Sequence, residues 1–503
     1  MTIDNQNFAA LVDGACARHA ARPAFFHGGR AILHDELAAL VDGWAAALDA
    51  RGAGPGVCVT VWLPNGPAFV AAFLATLRLG AIAAPLGVLL AGREVRVRLQ
   101  IAQSRVLVTT HALARQLGEV DTDLLAIGAG DLHLAAAGHH PPVTRAAEDV
   151  AVLISTSGTT GQAKAAELTH RGVTWNARAL AEGLALRPGD VQLAVAPLSH
   201  VLGMSAVMNA SLLSGAAVAP MERFDAAAAL ALMAQTGTTG LVGAPPMFAA
   251  MLREARRSGT GHRLRFGMTG GAALSPALSS GVEEVFGCVL GDGYGMSEVG
   301  GGVTLTPLAT RPKPGSVGPA LPGTALRIVD PVTGAPLGAG ARGEVVVRSP
   351  SVMRGYRGDD AATRAVLDAD GWLLTGDIGY LDQEGYLFLV DRKKEVIIRS
   401  GYNVYPREVE EVLLSFPGVL EAAVVGVPDE EHGEEVVALV VPAHEAAPDP
   451  EHLKAFARER LAAYKYPRRV VVVETLPKGQ TGKIAKRDID LQALRPPGAK
   501  DQG

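Results

Sequence analysis

At residues 156–164 the chain reads TSGTTGQAK: hydroxyls, glycines and one lysine packed into nine residues directly after the apolar run AVLIS. A glycine-rich turn can gather backbone N–H groups and hydroxyls around an anion, and a lysine adds charge, so phosphate is the first chemistry that suits these residue types. The spacing is not that of the nucleotide loop G-x-x-x-x-G-K-[S/T], because Lys164 lies three positions after Gly161 and is followed by Ala165. Taken alone, the stretch reads equally as a polar surface turn. Four more glycine-bearing clusters follow: GDGYGMSE at 291–298, LTGD at 374–377, DRKKEVIIRSGYNVYP at 391–406 and PKGQTGK at 477–483. Together they supply carboxylates, lysines and backbone turns of the kind that phosphoryl chemistry needs to offset crowded negative oxygens.

These clusters need a scaffold, and 503 residues are ample for two or more domains. Hydrophobic residues make up 48% and charged residues 19%, enough for large cores. The formal net charge of −5 gives no bulk basic signal for nucleic acid. Cys16, Cys58 and Cys288 are too few and too scattered for a disulfide framework or a metal knuckle. The N-terminal MTIDNQNF lacks a basic-plus-apolar signal segment, which gives a cytoplasmic protein as the simplest expectation. From Gln192 to Met221 there is no Asp, Glu, Lys or Arg, but Pro197, Ser199, His200, Gly203, Asn209, Ser211 and Gly215 interrupt the run. A buried strand, loop and core helix explain it better than a transmembrane span, and shallow peripheral membrane contact stays open.

Helical and strand-like patterns alternate along the first part of the chain. GVCVTVWLP reads as a strand, PAFVAAFLATLRLGA as a helix and RVLVTT as a strand; AVLIS, HRGVTWNARALAEGL and VQLAVAPL repeat the sequence of types. Near Gly315 the texture changes to short strands, TALRIVD, GEVVVRS and GYLFLVD, punctuated by glycine and proline. From about Asp391 an amphipathic helix, two strands and a further helix make about 110 residues of α+β pattern, enough for a small independent domain.

The ordered set of motifs, with LPNGPAFVAAFLATLRLGAIAAPL near the N-terminus, resembles the acyl- and aryl-CoA synthetase branch of the adenylate-forming enzymes, over nearly the whole chain. The resemblance implies an α/β multidomain adenylate-forming fold. Residues 1–390 would be a large N-terminal α/β body, with a β-rich subdomain over about 315–390; 391–395 would be a hinge, and 396–503 a small mobile α+β C-terminal domain. It also implies the activity: a carboxylate and ATP give acyl-AMP and pyrophosphate, and the acyl group then passes to the thiol of coenzyme A. ATP, Mg²⁺ and coenzyme A are the implied cofactor and co-substrates.

By the same resemblance, Thr156, Ser157, Gly158, Thr159, Thr160, Gly161 and Lys164 hold the β and γ phosphates, with Thr160 and Glu298 in the magnesium environment. Gly270, Gly271 and Ala272 border the adenosine and acyl pockets. Tyr294 stacks on adenine next to Gly295, Ser297 touches the α-phosphate, Asp377 holds the ribose hydroxyls and Arg392 makes a second ribose- or phosphate-side contact. His200 stands beside the carboxylate entry and the CoA tunnel. Lys483 is the catalytic lysine of the first step. Lys394 is the hinge, acting through backbone torsion, and its rotation withdraws Lys483 and brings the Gly401 region towards the pantetheine tunnel. The chain departs from the family pattern at Ala163 and Ala165, where proline and glycine are usual; this changes the freedom of the loop without removing its lysine. No Ser-His-Asp relay is required, and GGAALS lacks the G-x-S-x-G elbow.

The acyl-pocket segments VLGMSAVMNASLL and LVGAPPMFAAML contain no arginine or lysine to pair with a second substrate carboxylate, so malonate-like acids are disfavoured. Met204, Val207, Val242 and Met247 are the expected pocket residues, with core packing an equal alternative. A medium- or long-chain fatty acid is the first expectation and a benzoate- or cinnamate-like acid the second. An enzyme loading a carrier-protein thiol, a luciferase-like oxidase and a catalytically impaired acyl- or nucleotide-binding protein are further alternatives. Retention of Lys164, Glu298, Asp377 and Lys483 argues against the last.

Overall fold

The computed structural model describes residues 7–128, 131, 134, 138–156, 163–272, 274–429, 431–443, 448–478 and 484–494. The chain divides into two compact units, one of residues 1–326, 347–373 and 385–387, the other of residues 327–346, 374–384 and 388–503.

Two largely parallel sheets build the first unit. The six-stranded sheet has the order Asp123–Ile127, Ser104–Thr110, Cys58–Trp62, Ile82–Pro85, Val150–Thr156 and Lys164–Thr169. Only its last pair is antiparallel. The eight-stranded sheet runs Gly301–Leu305, Leu290–Met296, Phe266–Gly270, Gly240–Gly243, Val191–Ala194, Ala217–Pro220, Pro23–His27 and Arg30–Leu33, parallel throughout except for an antiparallel pair at each edge. Parallel strands covered on both faces must be apolar on both faces, and every residue of Cys58–Trp62 and Ile82–Pro85 is buried. The intervening helix Pro67–Arg78 is apolar all round and buried at every residue except Ala68, with Pro67 pre-setting its first turn. It ends inside the protein: Arg78 is 1% exposed and its guanidinium bonds Asp42 Oδ1 at 2.7 Å and also Asp13. The Asn7 amide donates to the Leu77 carbonyl at 2.7 Å and to the Val143 carbonyl at 2.9 Å, satisfying an acceptor of the helix C-terminus.

The charge-poor stretch from Gln192 folds as expected into core elements: the strand Val191–Ala194, a π-helix Leu202–Asn209, the helix Ala210–Ser214 and the strand Ala217–Pro220. Among the described residues no helix is long and apolar enough to cross a membrane.

The second unit carries most of a four-stranded sheet, Ala325–Val329, Gly343–Arg348, Leu373–Leu381 and Leu387–Arg392. The β-rich stretch expected within the N-terminal body is thus divided. Its four strands bond to one another in a sheet of their own, and residues 327–346, 374–384 and 388–390 group with the C-terminal part of the chain. The same unit contains a five-stranded sheet of Tyr402–Val404, Ile397–Arg399, Gly433–Pro442 and Val419–Asp429, with Arg469–Val472 alongside Gly433–Pro442. Strand alternation gives this sheet two apolar faces. Ala422 and Val424 pack with Val409, Leu413 and Leu453 from helices Pro406–Leu414 and Pro450–Arg460, while Ala423 and Val425 pack with Leu476 and Leu494.

Two buried histidines make the fold sensitive to acid. His170 accepts the Phe8 backbone N–H on Nδ1 at 3.1 Å. Burial, and then Arg145, push its pKa down to about 4; His34 is pushed down to about 4 by burial and by His19. In the unfolded chain both titrate near 6.5, so between pH 6.5 and about 4 the unfolded state binds protons that the native state refuses. Stability therefore falls as pH drops through that window, by about 1.4 kcal/mol per pH unit per histidine. Urea unfolding is expected to show a lower midpoint at pH 5 than at pH 7.5. His170→Gln, which keeps an acceptor for Phe8, is expected to show a smaller drop; an unchanged drop would contradict this assignment.

Candidate active site

Three parallel strands of the eight-stranded sheet run side by side, and Gly240–Gly243 and Phe266–Gly270 end within one residue of the same level while Leu290–Met296 runs on. Val242 lies opposite Met268, Gly243 opposite Thr269, Thr269 opposite Asp292, and Gly270 opposite Gly293. The crevice beyond the carboxyl ends of parallel strands is where open α/β sheets bind ligands, and most of the first-unit residues singled out from the sequence arrive there. Gly270 and Gly271 close the strand Phe266–Gly270, and Gly271 takes a φ of +83° that favours glycine as the chain turns through Ala272. Tyr294 is 8% exposed, and its backbone N–H donates to Thr304 Oγ1 at 3.2 Å. Ser297 and Glu298 occupy a single 3₁₀ turn, after which the strand Gly301–Leu305 returns antiparallel. The return is so close that a Cβ on Gly295 would stand 2.0 Å from the Gly301 carbonyl oxygen.

His200 precedes the π-helix Leu202–Asn209, and its Nδ1 accepts the Leu202 N–H at 3.3 Å, which puts the proton of the neutral ring on Nε2. Such π segments are often found at functional sites. This one is tied to the 3₁₀ turn by Ser205 Oγ, which donates to the Gly300 carbonyl at 2.6 Å. Met204 and Val207 have no exposed surface and Val242 has 1%, so three of the four expected pocket residues pack as core; Met247, half-buried at the start of helix Pro245–Ser258, presents surface.

The opening motif starts and ends on an antiparallel strand pair. Thr156, at the end of Val150–Thr156, pairs directly with Lys164, at the start of Lys164–Thr169. Ser157, Gly158, Thr159, Thr160 and Gly161 lie outside the described residues. The Thr156 hydroxyl is buried without a hydrogen-bond partner among the described residues. Alongside the strand Lys164–Thr169 runs the segment 353–357: Glu167 N–H donates to the Gly355 carbonyl at 2.9 Å and Arg357 N–H to the Ala165 carbonyl at 2.8 Å. Glu167 is held by Arg354 at 2.7 Å and by Arg357 at 3.3 Å.

This segment brings in a residue that the sequence reading missed. Tyr356 Oη donates to Glu298 Oε1 at 3.0 Å, and Lys164 Nζ lies 4.9 Å from the centre of the same ring. Burial first, and then the Glu298 charge, raise the Tyr356 pKa, so the hydroxyl stays a donor. The one signal in the sequence was an aromatic residue between two arginines, in RGYRG. Asp292 was missed as well: it is 5% exposed, and its Oδ1 accepts from Thr269 Oγ1 at 2.9 Å and from Gly293 N at 3.0 Å, locking two strand ends together.

The donor set suits magnesium. Among the described residues no group of three or more His, Cys, Asp or Glu side chains could form a metal cage. Mg²⁺ prefers hard oxygen ligands, and with nucleotides it typically takes one or two carboxylates plus phosphate oxygens. Glu298 offers the carboxylate.

In the second unit, Asp377 and Arg392 come together, Arg392 Nε standing 3.4 Å from Asp377 Oδ1. Lys394 sits in the 3₁₀ turn Lys393–Glu395, between two ion pairs: Lys393 with Glu344 at 2.8 Å, and Glu395 with Lys486 at 3.3 Å. Lys486 also bonds Glu410 at 2.7 Å; burial works against its charge, but Glu410 and Glu395 hold its pKa above the ordinary value. Gly401 follows Ser400 through a left-handed turn, with φ of +79° and +51°. Lys483 lies outside the described residues.

Residues 12–357 match the AMP-binding enzyme family and residues 408–483 its C-terminal domain. The chain is similar to a feruloyl-CoA synthase of Amycolatopsis sp., 37% identical over 466 residues that cover 92% of this chain and 94% of that one. It is also similar to a long-chain-fatty-acid–CoA ligase of Bacillus subtilis, 32% identical over 531 residues, covering 97% and 94% respectively. Among solved structures, ATP-bound MatB from Rhodopseudomonas palustris superposes with a TM-score of 0.89 at 30% identity, over 96% of this chain and 98% of that one. The chain therefore belongs to the AMP-forming acyl- and aryl-CoA synthetases of the adenylate-forming AMP-binding enzymes.

Proposed function

We propose that this ligase activates an aryl acid of benzoate or cinnamate type, with no second carboxylate, and transfers it to coenzyme A. The observation that carries the reading is the absence of lysine and arginine from segments 201–213 and 241–252, which flank the strand ends. A second substrate carboxylate would lose its water there without gaining a partner. Similarity to feruloyl-CoA synthase supports an aromatic acid in place of the fatty acid expected first.

The chemistry has two steps. A carboxylate oxygen attacks the α-phosphorus of ATP, the bond to the bridging oxygen breaks, and pyrophosphate leaves. The CoA thiolate then attacks the acyl carbonyl, and AMP departs with the carboxyl oxygen. Activation is needed because a free carboxylate has no adequate leaving group. Bound magnesium offsets triphosphate charge. In this reading Glu298 and Thr160 hold that ion, and Thr156, Ser157, Gly158, Thr159, Gly161 and Lys164 cradle the β and γ phosphates. Tyr294 packs on adenine beside Gly270, Gly271, Ala272 and Gly295; Ser297 meets the α-phosphate; Asp377 and Arg392 meet the ribose. His200 orients the substrate carboxylate through its Nε2–H, with no base required because that carboxyl is already ionised. Lys483 stabilises charge on the attacking oxygen and the α-phosphate during adenylation only, which is where a cation accelerates the step. Lys394 is the torsional hinge, and Gly401 belongs to the thiol-transfer state.

An acid panel tests the substrate. Ferulate, 4-coumarate and benzoate are expected to give kcat/KM values roughly tenfold or more above dodecanoate and malonate, the scale on which a mismatched pocket discriminates. Pyrophosphate and acyl-CoA should be measured together. A preference for dodecanoate would restore the fatty-acid reading, and pyrophosphate release without acyl-CoA would favour a carrier-protein acceptor.

Half-reactions test the lysine. Lys483→Ala is expected to slow formation of acyl-AMP by about 10²-fold or more, the scale seen when a group stabilising transition-state charge is removed. The same variant should still convert preformed acyl-AMP and CoA to thioester. Intact adenylation with blocked transfer would reverse the assignment.

A further inference from the structure

We propose that Tyr356 is a positioning residue that sets both charged groups of the triphosphate site, holding the Glu298 carboxylate in the orientation that receives magnesium and the Lys164 ammonium in the orientation that receives phosphate. The proposal rests on the reading of Glu298 and Lys164 given above and deepens it.

The geometry points to this because one side chain meets both groups by different parts of its surface. The phenol hydroxyl donates to Glu298 Oε1 at 3.0 Å, while the π face receives Lys164 Nζ at 4.9 Å from its centre. A glutamate has three side-chain torsions and a lysine four, so an unrestrained pair of opposite charges would tend to collapse onto each other and would have to be pulled apart before a metal–nucleotide complex could bind. A tyrosine standing between them gives each charge a weaker, directional partner. The hydroxyl fixes one carboxylate oxygen, and the ring holds the cation without neutralising it.

The backbone holds Tyr356 in place. Its N–H donates to Thr363 Oγ1 at 2.9 Å, and Ala166 forms a β-bridge with it. Met353 N–H donates to the Glu298 carbonyl at 2.8 Å, so the 3₁₀ turn and the tyrosine segment are joined through main chain as well as side chain. Rigid support of this kind is what a group needs if it is to orient two others.

Two substitutions separate the two contacts. Tyr356→Phe keeps the ring and removes the hydroxyl; Tyr356→Leu removes both. Binding of ATP to the full-length protein is measured by calorimetry without acid or CoA, once across a magnesium series and once in EDTA. For Tyr356→Phe the magnesium concentration giving half-maximal enhancement of ATP binding is expected to rise on the order of tenfold, the worth of one hydrogen bond to a charged group. Its ATP affinity in EDTA should match wild type. Tyr356→Leu is expected to show the same magnesium shift and also weaker ATP binding in EDTA, through Lys164. In turnover, Tyr356→Phe should raise KM for MgATP more than it lowers kcat.

If Tyr356→Leu melts well below wild type, a Glu298→Gln, Tyr356→Phe double-mutant cycle replaces it; if Tyr356→Phe does, Thr363→Val, which removes the hydroxyl holding the Tyr356 backbone, takes its place in the cycle. Coupling in magnesium-dependent ATP binding supports the proposal, and additivity overturns it. A magnesium dependence of Tyr356→Phe equal to wild type also overturns it. Failure of the underlying reading looks different: wild-type protein would itself show no magnesium-enhanced ATP binding and no acid-dependent pyrophosphate release.

Discussion

At Gly295 even a methyl group is too much, because its carbon would sit 2.0 Å from the carbonyl oxygen of Gly301. That contact is between backbone and backbone, so no side-chain movement relieves it. It is what allows the strand Leu290–Met296 to hand over to Gly301–Leu305 through one 3₁₀ turn, and it compresses Tyr294, Ser297 and Glu298 into five residues at the carboxyl end of a parallel sheet. The neighbouring strand Phe266–Gly270 ends opposite Gly293, with the buried Asp292 pinning Thr269. Ser205 ties the π-helix to the same turn, so the carboxylate side of the site takes its position from this tight return. Small residues at the strand ends are the condition for everything placed above them.

Charge is handled differently in the two units. Around Glu298 an aromatic side chain meets both charges, Tyr356 bonding the carboxylate through its hydroxyl and taking the Lys164 ammonium over its ring. In the second unit charge is paired within the protein, and the pairs straddle one residue. Lys393 is fastened to Glu344, which is 3% exposed, and Glu395 is fastened to Lys486, leaving Lys394 between two anchored neighbours. The residue proposed as the hinge thus sits between two side chains that are each tied to a partner within the same unit.

Local pattern made much of the architecture legible in the sequence. AVLIS is a strand because an unbroken apolar run flanked by polar residues suits a strand buried on both faces, and PAFVAAFLATLR is a core helix because it is apolar all round. The glycine-bearing motifs marked backbone constraints that the structure bears out at Gly271 and Gly295, where a positive φ and a close backbone approach favour glycine. What stayed hidden depended on partners distant in the chain. Tyr356 sits in a non-periodic segment and meets Glu298 58 positions away, so nothing in its immediate sequence announces a role. The π geometry of LGMSAVMN follows from contacts such as Ser205 with Gly300 and Gly203 against Pro197, which no local periodicity encodes. Met204 and Val207 suit a pocket wall and a core equally by their apolar character, and sequence alone does not separate the two; both are fully buried. The β-rich stretch divided between units because strand pairing across long separations decides such groupings.

A crystal structure of the enzyme with a non-hydrolysable feruloyl-AMP analogue tests the central claim most directly, that the acyl-adenylate forms at the carboxyl ends of the parallel strands. The expected result is adenine density against Tyr294, a phosphate near Ser297, and the aryl ring over the backbone of Gly270 and Gly293 next to Met247. Ordered density for the analogue at another surface, with this crevice filled only by solvent, would contradict it.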